Sequence, residues 1–214
     1  MYRFPSIRGG ADGKVTLDWE GGKAFHDTLE LDTVDSAHQI RVARGAFTAE
    51  ECRRIIEIGD AQQQFGALAE RDERSKYRSG KVAWLPPEEG AHWLYHKLAV
   101  LFSEANQHYD FELLGLLHAP QYATYQPGHH FDWHVDVGSE AASLRKLSLS
   151  VQLSEGSEYG GGELEFPFPD VGIEGQREIG AAIIFPAYMA HRVSPVTFGV
   201  RRSLVAWACG PTFR

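Results

Sequence analysis

Lys146-Leu147-Ser148-Leu149-Ser150-Val151-Gln152-Leu153 alternates apolar and polar residues without a break. Successive side chains of a strand point to opposite faces, so Leu147, Leu149, Val151 and Leu153 share one face and Ser148, Ser150 and Gln152 the other. Outward from this stretch the pattern holds. From Leu113 onward helical periodicity is absent, and short apolar or alternating runs punctuated by Gly and Pro recur at Gln121–Tyr125, Gly162–Phe166, Ala181–Phe185 and Ser203–Ala208. Upstream, Ile40-Arg41-Val42-Ala43 has the period of a strand, and Thr48-Ala49-Glu50-Glu51 is a capping box with Thr48 at the N-cap and Glu51 at N3. It opens a helix that buries Cys52, Ile55 and Ile56. A second helix is expected from about Glu89 to Asn106, with Trp93, Leu94, Leu98, Leu101, Phe102 and Ala105 on one side. Between the helices, Arg78 to Leu85 alternates like a strand.

Helices first and many short strands after give an α+β fold, with a C-terminal sandwich or barrel of the jelly-roll kind supported by N-terminal helices. The 214 residues are expected to form a single domain, long enough to bury a core without disulfides. Within it, residues 1–36 read as an N-terminal arm or extra hairpin, 37–112 as a helical support region and 113–214 as the jelly-roll core. Lys and Arg number 21 against 29 Asp and Glu, a formal charge of −8, which offers no electrostatic footprint for a polyanion. Nucleic acid and acidic membranes are therefore not expected as partners. Two cysteines, Cys52 and Cys209, are too few for a disulfide framework and fit a reducing compartment. No stretch approaches the roughly 20 apolar residues of a membrane span, and the chain reads as soluble and cytoplasmic. Oligomeric state is not legible.

The chemistry concentrates in His129-His130-Phe131-Asp132-Trp133-His134-Val135-Asp136. Residues two apart on an extended chain face the same side, so His134 and Asp136 can reach one ion. Two histidines and one carboxylate on one face of a metal are the ligand set of non-haem Fe(II) oxygenases. A His-x-Asp tripeptide alone is weak and needs a third ligand, for which His191, after the buried-looking Ile183-Ile184-Phe185-Pro186, is the candidate. Further on, Arg201 and Ser203 are again two apart, so a guanidinium and a hydroxyl share a face. A planar guanidinium suits bidentate capture of a carboxylate. Arg202 points the other way, toward solvent or a second layer.

These residues resemble the prolyl 4-hydroxylase-like branch of the Fe(II)/2-oxoglutarate-dependent oxygenases. The matching pieces are Tyr125-x-Pro127-Gly128, Trp133-His134-x-Asp136, Arg145-x-Leu147-Ser148, Leu153-Ser154, Gly161-Gly162-Glu163-Leu164, Phe185-Pro186, His191-x-Val193-x-Pro195-Val196 and Gly199-x-Arg201-x-Ser203, in family order from about Ile40 to the end. The resemblance implies a double-stranded β-helix in which His134, Asp136 and His191 bind iron and carry catalysis. It implies that Arg201 binds the far carboxylate of 2-oxoglutarate, that Ser203 and Tyr125 hydrogen-bond it, and that Trp207 packs near it. Gln152, with Ser148 and Ser150, is expected to line the pocket. By residue type alone Tyr125 and Trp207 fit core aromatics equally well, and Gln152 a polar residue of a sheet face. The implied activity is a 2-oxoglutarate- and O2-dependent Fe(II) dioxygenase, supported by ascorbate (vitamin C), that hydroxylates an aliphatic C–H and releases succinate and CO2.

The implied substrate is a prolyl residue in a protein or peptide, with a free amino acid or other small molecule as the alternative. Asp136 argues against a halogenase, which leaves that ligand position open for chloride. Two other classes fit parts of the pattern. A metal-dependent hydrolase would use the same His-Asp-His set but give Arg201 and Ser203 no task, and a non-catalytic jelly-roll binding module would not consume 2-oxoglutarate.

Overall fold

The computed structural model describes residues 6–9, 14–18, 31–32, 40–66, 77–88, 90–167 and 175–213. Backbone contacts divide the chain into two units, Met1–Ala37 and His38–Arg214. In the first, β1 (Ser6–Gly9), β2 (Lys14–Asp18) and β3 (Leu31–Asp32) pair antiparallel in that order. The remainder of the expected arm lies outside the described residues.

In the second unit the elements follow as β4 (Arg41–Ala43), α1 (Ala49–Ala61), β5 (Phe65–Gly66), β6 (Lys81–Trp84), α2 (His92–Asn106), β7 (Gln121–Tyr125), β8 (Phe131–His134), β9 (Arg145–Gln152), β10 (Tyr159–Gly161), β11 (Leu164–Glu165), β12 (Ala182–Pro186), β13 (His191–Val193), β14 (Val196–Gly199) and β15 (Arg201–Cys209). A 3-10 turn, Glu140–Leu144, leads into β9. The capping box forms as read: Glu51 N–H donates to Thr48 Oγ1 at 3.2 Å, and Thr48 N–H donates to Glu51 Oε2 at 2.7 Å. Cys52 and Ile55 are buried, and Ile56 is only half-buried. The second helix begins at His92, behind a turn closed by Ala91 N–H on Glu88 O, while the Glu89 end of the expected span lies outside the described residues. None of the helices among the described residues is long and apolar enough to cross a membrane.

Seven strands form the main sheet, in the order β4-β12-β9-β15-β7-β6-β5, and every pairing in it is antiparallel. The segment expected as helical support thus also supplies three strands of this sheet. A three-stranded antiparallel sheet, β11-β13-β8, and a two-stranded one, β10-β14, make up the rest. The alternation in β9 and β15 sorts the core into two layers. Leu147, Leu149, Val151, Leu204, Ala206 and Ala208 join Ile55, Leu94, Leu98 and Phe102 of the helices in one apolar cluster. On the opposite face, Val82, Ala123, Tyr125, Ile183 and Phe185 of the main sheet pack with Leu164, Val193 and Val196 of the smaller sheets. The main sheet is therefore covered by α1 and α2 on one side and by the small sheets on the other. Polar residues of the second face, Ser148, Ser150, Ser203 and Arg201, look into the space between the sheets.

The expected strand Gly162–Phe166 shrinks to Leu164–Glu165. Gly162 has a φ of +68°, which regular strands do not use and which glycine adopts without steric strain, and Gly161, at +65°, sits at the bulge that ends β10.

Candidate metal centre and its cavity

His134 and His191 meet because β8 and β13 are antiparallel neighbours in register, with His191 directly opposite His134. Their rings lie 4.2 Å apart between centroids. Asp136 follows the end of β8, where its N–H donates to Ala187 O at 2.9 Å and brings the carboxylate back toward both rings. Asp136 Oδ1 is 3.7 Å from His134 Nε2, and its Oδ2 is 3.6 Å from His191 Nε2. All three ligand atoms lie within 4.8 Å of one another. Atoms each about 2.1 Å from a single ion are at most about 4.2 Å apart, so the two carboxylate contacts already have the spacing that one ion needs.

The protonation states fit a divalent cation as well. His134 Nδ1 is 2.7 Å from Asp132 O, and His191 Nδ1 is 2.9 Å from Met189 O. A carbonyl only accepts, so Nδ1 carries the hydrogen in each ring and the Nε2 lone pair faces the carboxylate. Burial, helped by the nearby His191, pushes the His134 pKa down to about 4, which keeps the ring neutral. Burial alone would raise the Asp136 carboxyl, but His191, the Ser148 hydroxyl and His134 outweigh it and hold the group below the ordinary carboxylate range. Ser148 Oγ donates to Asp136 Oδ2 at 2.6 Å. The Trp207 indole N–H also favours the charged form, although it closes no hydrogen bond. Two imidazoles with Nδ1 tied to backbone carbonyls and Nε2 turned inward converge here with one ionised carboxylate, and this donor set fits ferrous iron.

The three ligands line a cavity of about 360 Å3 together with Tyr125, Arg201, Ser203 and Trp207. Arg201 is 3% exposed, and its Nη1 donates to Ser203 Oγ at 3.3 Å. Its guanidinium lies 5.7 Å from the Tyr125 ring centroid, across the β7–β15 pairing. No carboxylate among the described residues forms an ion pair with it. A buried cation without a counterion is costly, so this end of the cavity is built for an anion. Gly162 makes room for that side chain: a Cβ there would come within 2.9 Å of Arg201 Cδ. Arg202 points away, half-buried, with its Nε unpartnered.

Gln152 departs from its expected place. It lies on the same strand face as Ser148 and Ser150, but it does not line the cavity, and its Nε2 donates to Ser154 O at 2.8 Å. Ser150 does line the cavity, and Ser148 acts on Asp136 instead. Sequence reasoning missed Phe131, whose ring stacks on His134 at 3.5 Å, and the cavity-facing arginines Arg78 and Arg145. Arg145 was visible only as the first residue of the Arg-x-Leu-Ser piece. Of the remaining polar residues near the motif, Asp132 contributes its carbonyl to His134, and His129 accepts from Gln126 N–H at 3.0 Å.

Residues 120–209 match the family described as the 2OG-Fe(II) oxygenase superfamily. A PKHD-type hydroxylase of Synechococcus sp. (strain CC9902) is 34% identical over 101 residues, which are 45% of this chain and 44% of that protein. A PKHD-type hydroxylase of Janthinobacterium sp. (strain Marseille) is 35% identical over 94 residues, 41% of this chain and 42% of its own length. The chain thus spans a little under half of these curated relatives. Among solved structures, a Pseudomonas putida prolyl-4-hydroxylase superimposes with a TM-score of 0.63 at 23% identity, covering 83% of this chain and 97% of that one. A viral collagen prolyl hydroxylase from Paramecium Bursaria Chlorella virus-1, solved as a 2OG complex, gives 0.60 at 22%, covering 80% and 96%. At these identities the structural likeness speaks for the fold.

Proposed function

We propose, on the premise that residues 120–209 belong to the 2OG-Fe(II) oxygenase superfamily, that this chain is a 2-oxoglutarate-dependent Fe(II) dioxygenase that hydroxylates an aliphatic C–H. The observation that carries the reading is one cavity holding both a two-His-one-carboxylate cluster and a buried guanidinium that no carboxylate among the described residues ion-pairs. A hydrolase would need the first and not the second. It would also need a separate general base, and Asp136 is the only carboxylate among the described residues that line the cavity. The same layering, helices on one face of the main sheet and small antiparallel sheets on the other, supports reading the fold as a double-stranded β-helix.

In this reading His134, Asp136 and His191 hold the iron, and their fixed tautomers and the Ser148 hydrogen bond keep the ligands oriented. Arg201 and Ser203 take the far carboxylate of 2-oxoglutarate, with Tyr125 beside them and Trp207 closing the cavity wall. Iron and co-substrate, when bound, supply the activation of O2, with the overall balance R–H + 2-oxoglutarate + O2 → R–OH + succinate + CO2. The chain's own part is to present the substrate C–H to that centre and to keep bulk water out. A prolyl residue of a protein or peptide is the substrate suggested by the names of the relatives, and a free amino acid or other small molecule is the alternative.

The test is anaerobic. Fe(II) and 2-oxoglutarate added to the protein should give the weak visible charge-transfer band of a chelated keto acid, and pyruvate, which lacks the second carboxylate, should give it only poorly. The band should vanish in His191→Ala. An equal response to both keto acids would remove the case for Arg201, and a band retained in His191→Ala would remove that ligand.

A further inference from the structure

We infer that the substrate of this oxygenase carries a carboxylate, which is seated between the guanidinium groups of Arg78 and Arg145; the inference rests on the reading under Proposed function. Both side chains line the cavity that holds the metal ligands and Arg201. Both are held by aromatic and neutral oxygen contacts, with no ion pair to either among the described residues. Arg145 lies with its guanidinium carbon 3.8 Å from the Trp207 ring centroid, donates from Nη1 to the backbone carbonyl of Asp136 at 3.1 Å, and keeps a buried Nε with no partner. Arg78 lies 4.6 Å over the Phe131 ring and donates from Nη2 to the neutral Gln121 Oε1 at 2.8 Å. Aromatic faces and neutral oxygens orient a guanidinium and leave its charge in place. Neither arginine has an ion-pair partner among the described residues.

Charge decides the class of ligand. The ferrous dication, doubly charged 2-oxoglutarate, the Asp136 carboxylate and Arg201 sum to zero. Arg78 and Arg145 are left over, close enough that Arg78 acts on Arg145 as a like charge, and Asp136 is already committed to the metal. Two like charges facing a partly enclosed cavity favour an anion strongly over a neutral group. The forked donors of two guanidiniums match the paired oxygens of a carboxylate. A prolyl residue inside a blocked peptide offers only carbonyl oxygens, each a weaker partner. The volume of about 360 Å3 is at the small end of ligand pockets, roughly 300–1,000 Å3, and 2-oxoglutarate takes a share of it. What remains suits a small carboxylic acid of amino-acid size, or the one residue of a peptide that bears the carboxylate.

The test uses the full chain with Fe(II) and saturating 2-oxoglutarate. The probes are the standard amino acids as free acids and as carboxamides, a terminally blocked neutral prolyl tripeptide, a blocked aspartyl tripeptide, and a prolyl tripeptide with a free C-terminus. Two quantities are read: perturbation of the anaerobic charge-transfer band, and substrate-stimulated succinate release in air. At least one acid should act at concentrations tenfold or more below its amide, about 1.4 kcal/mol or more. The three carboxylate arms identify whether the group belongs to a free acid, a side chain or a C-terminus. In Arg78→Gln and Arg145→Gln, each of which removes one of the two charges, the acid-over-amide preference should fall toward unity. Blocked neutral probes that act as well as every acid, or acids that do not differ from their amides, overturn the proposal while the band itself stands. Absence of the band with 2-oxoglutarate alone would instead count against the oxygenase reading.

Discussion

Arg201 and Arg202 are neighbours on β15, and a strand cannot turn adjacent side chains to the same face. Arg201 is buried in the cavity beside Ser203, while Arg202 lies on the opposite face of β15, toward the helices. Removing one partner of a buried charge-assisted contact costs about 2–5 kcal/mol, and each 1.4 kcal/mol is about a decade in affinity. Arg201→Ala should therefore raise the 2-oxoglutarate concentration for half-maximal succinate release by at least an order of magnitude. Arg202→Ala should leave it nearly unchanged in folded protein. A loss confined to the Arg202 variant would mean that the two faces of β15 are exchanged. This much was legible from spacing alone, because period two is a property of the backbone and survives any tertiary arrangement. Gln152 shows where spacing stops: alternation assigns a side chain to a face and says nothing of where along the strand the cavity ends. The roles of Arg145 and Arg78 were not legible from spacing for a related reason, since spacing does not show that residue 78 reaches the same wall as residue 145.

At the scale of elements, the long, strongly patterned pieces were readable and the short ones were not. Thr48 and Glu51 announce α1 because a capping box is a local hydrogen-bond device. The strands β8 and β13, which carry His134 and His191, are four and three residues long and too polar to show a pattern. Gly162 sits at what looked like a strand start and is instead a left-handed turn packed against Arg201. Gly59 exposes a second cost of close packing. It lies in the last turns of α1, where a Cβ would come within 2.3 Å of the ring of the fully buried Tyr122 on β7. Ala is a better helix former than Gly by about 1 kcal/mol, but overpacking a tight core costs about 1–3 kcal/mol. The steric term should win, because the ring is wedged between helix and sheet and its hydroxyl is tied to Asp60 Oδ1 at 2.9 Å. Gly59→Ala is expected to lower the denaturant midpoint by an amount worth about 1–2 kcal/mol, with an unchanged m-value. A more stable variant would show that Tyr122 has room to swing away.

In the whole second unit, His38–Arg214, the main sheet separates two kinds of buried titratable group. The metal face holds His134 and Asp136, and the helix face holds weak acids that burial keeps protonated. Cys52 is fully buried, and desolvation, aided by the Glu51 charge, raises its thiol to about 11 from an ordinary value near 9. Burial raises Tyr109 and Tyr122 in the same direction. For these groups the folded pKa exceeds the unfolded one, so between the two values the unfolded chain holds fewer protons than the folded one. Stability then falls as pH rises. The contribution of Cys52 is fully present below about pH 9 and is lost through about pH 11. At about 1.4 kcal/mol per pH unit it amounts to at most roughly 2–3 kcal/mol, with the tyrosines adding to it above pH 10. The thermal midpoint should therefore be flat from pH 7 to 9 and decline steeply beyond. In Cys52→Ala, itself less stable near neutrality through the lost packing, the decline should begin later, where the tyrosines alone set it. The metal face gives the control. His134 and Asp136 are both held below their ordinary pKa values, far from the alkaline range, so a bound divalent cation should raise the midpoint at neutral pH without moving the onset of the alkaline decline. Differential scanning calorimetry of both proteins, with and without Zn(II) as a redox-silent substitute, measures this. An onset that shifts with metal, or one that is unmoved in Cys52→Ala, would show that the alkaline limb does not arise on the helix face.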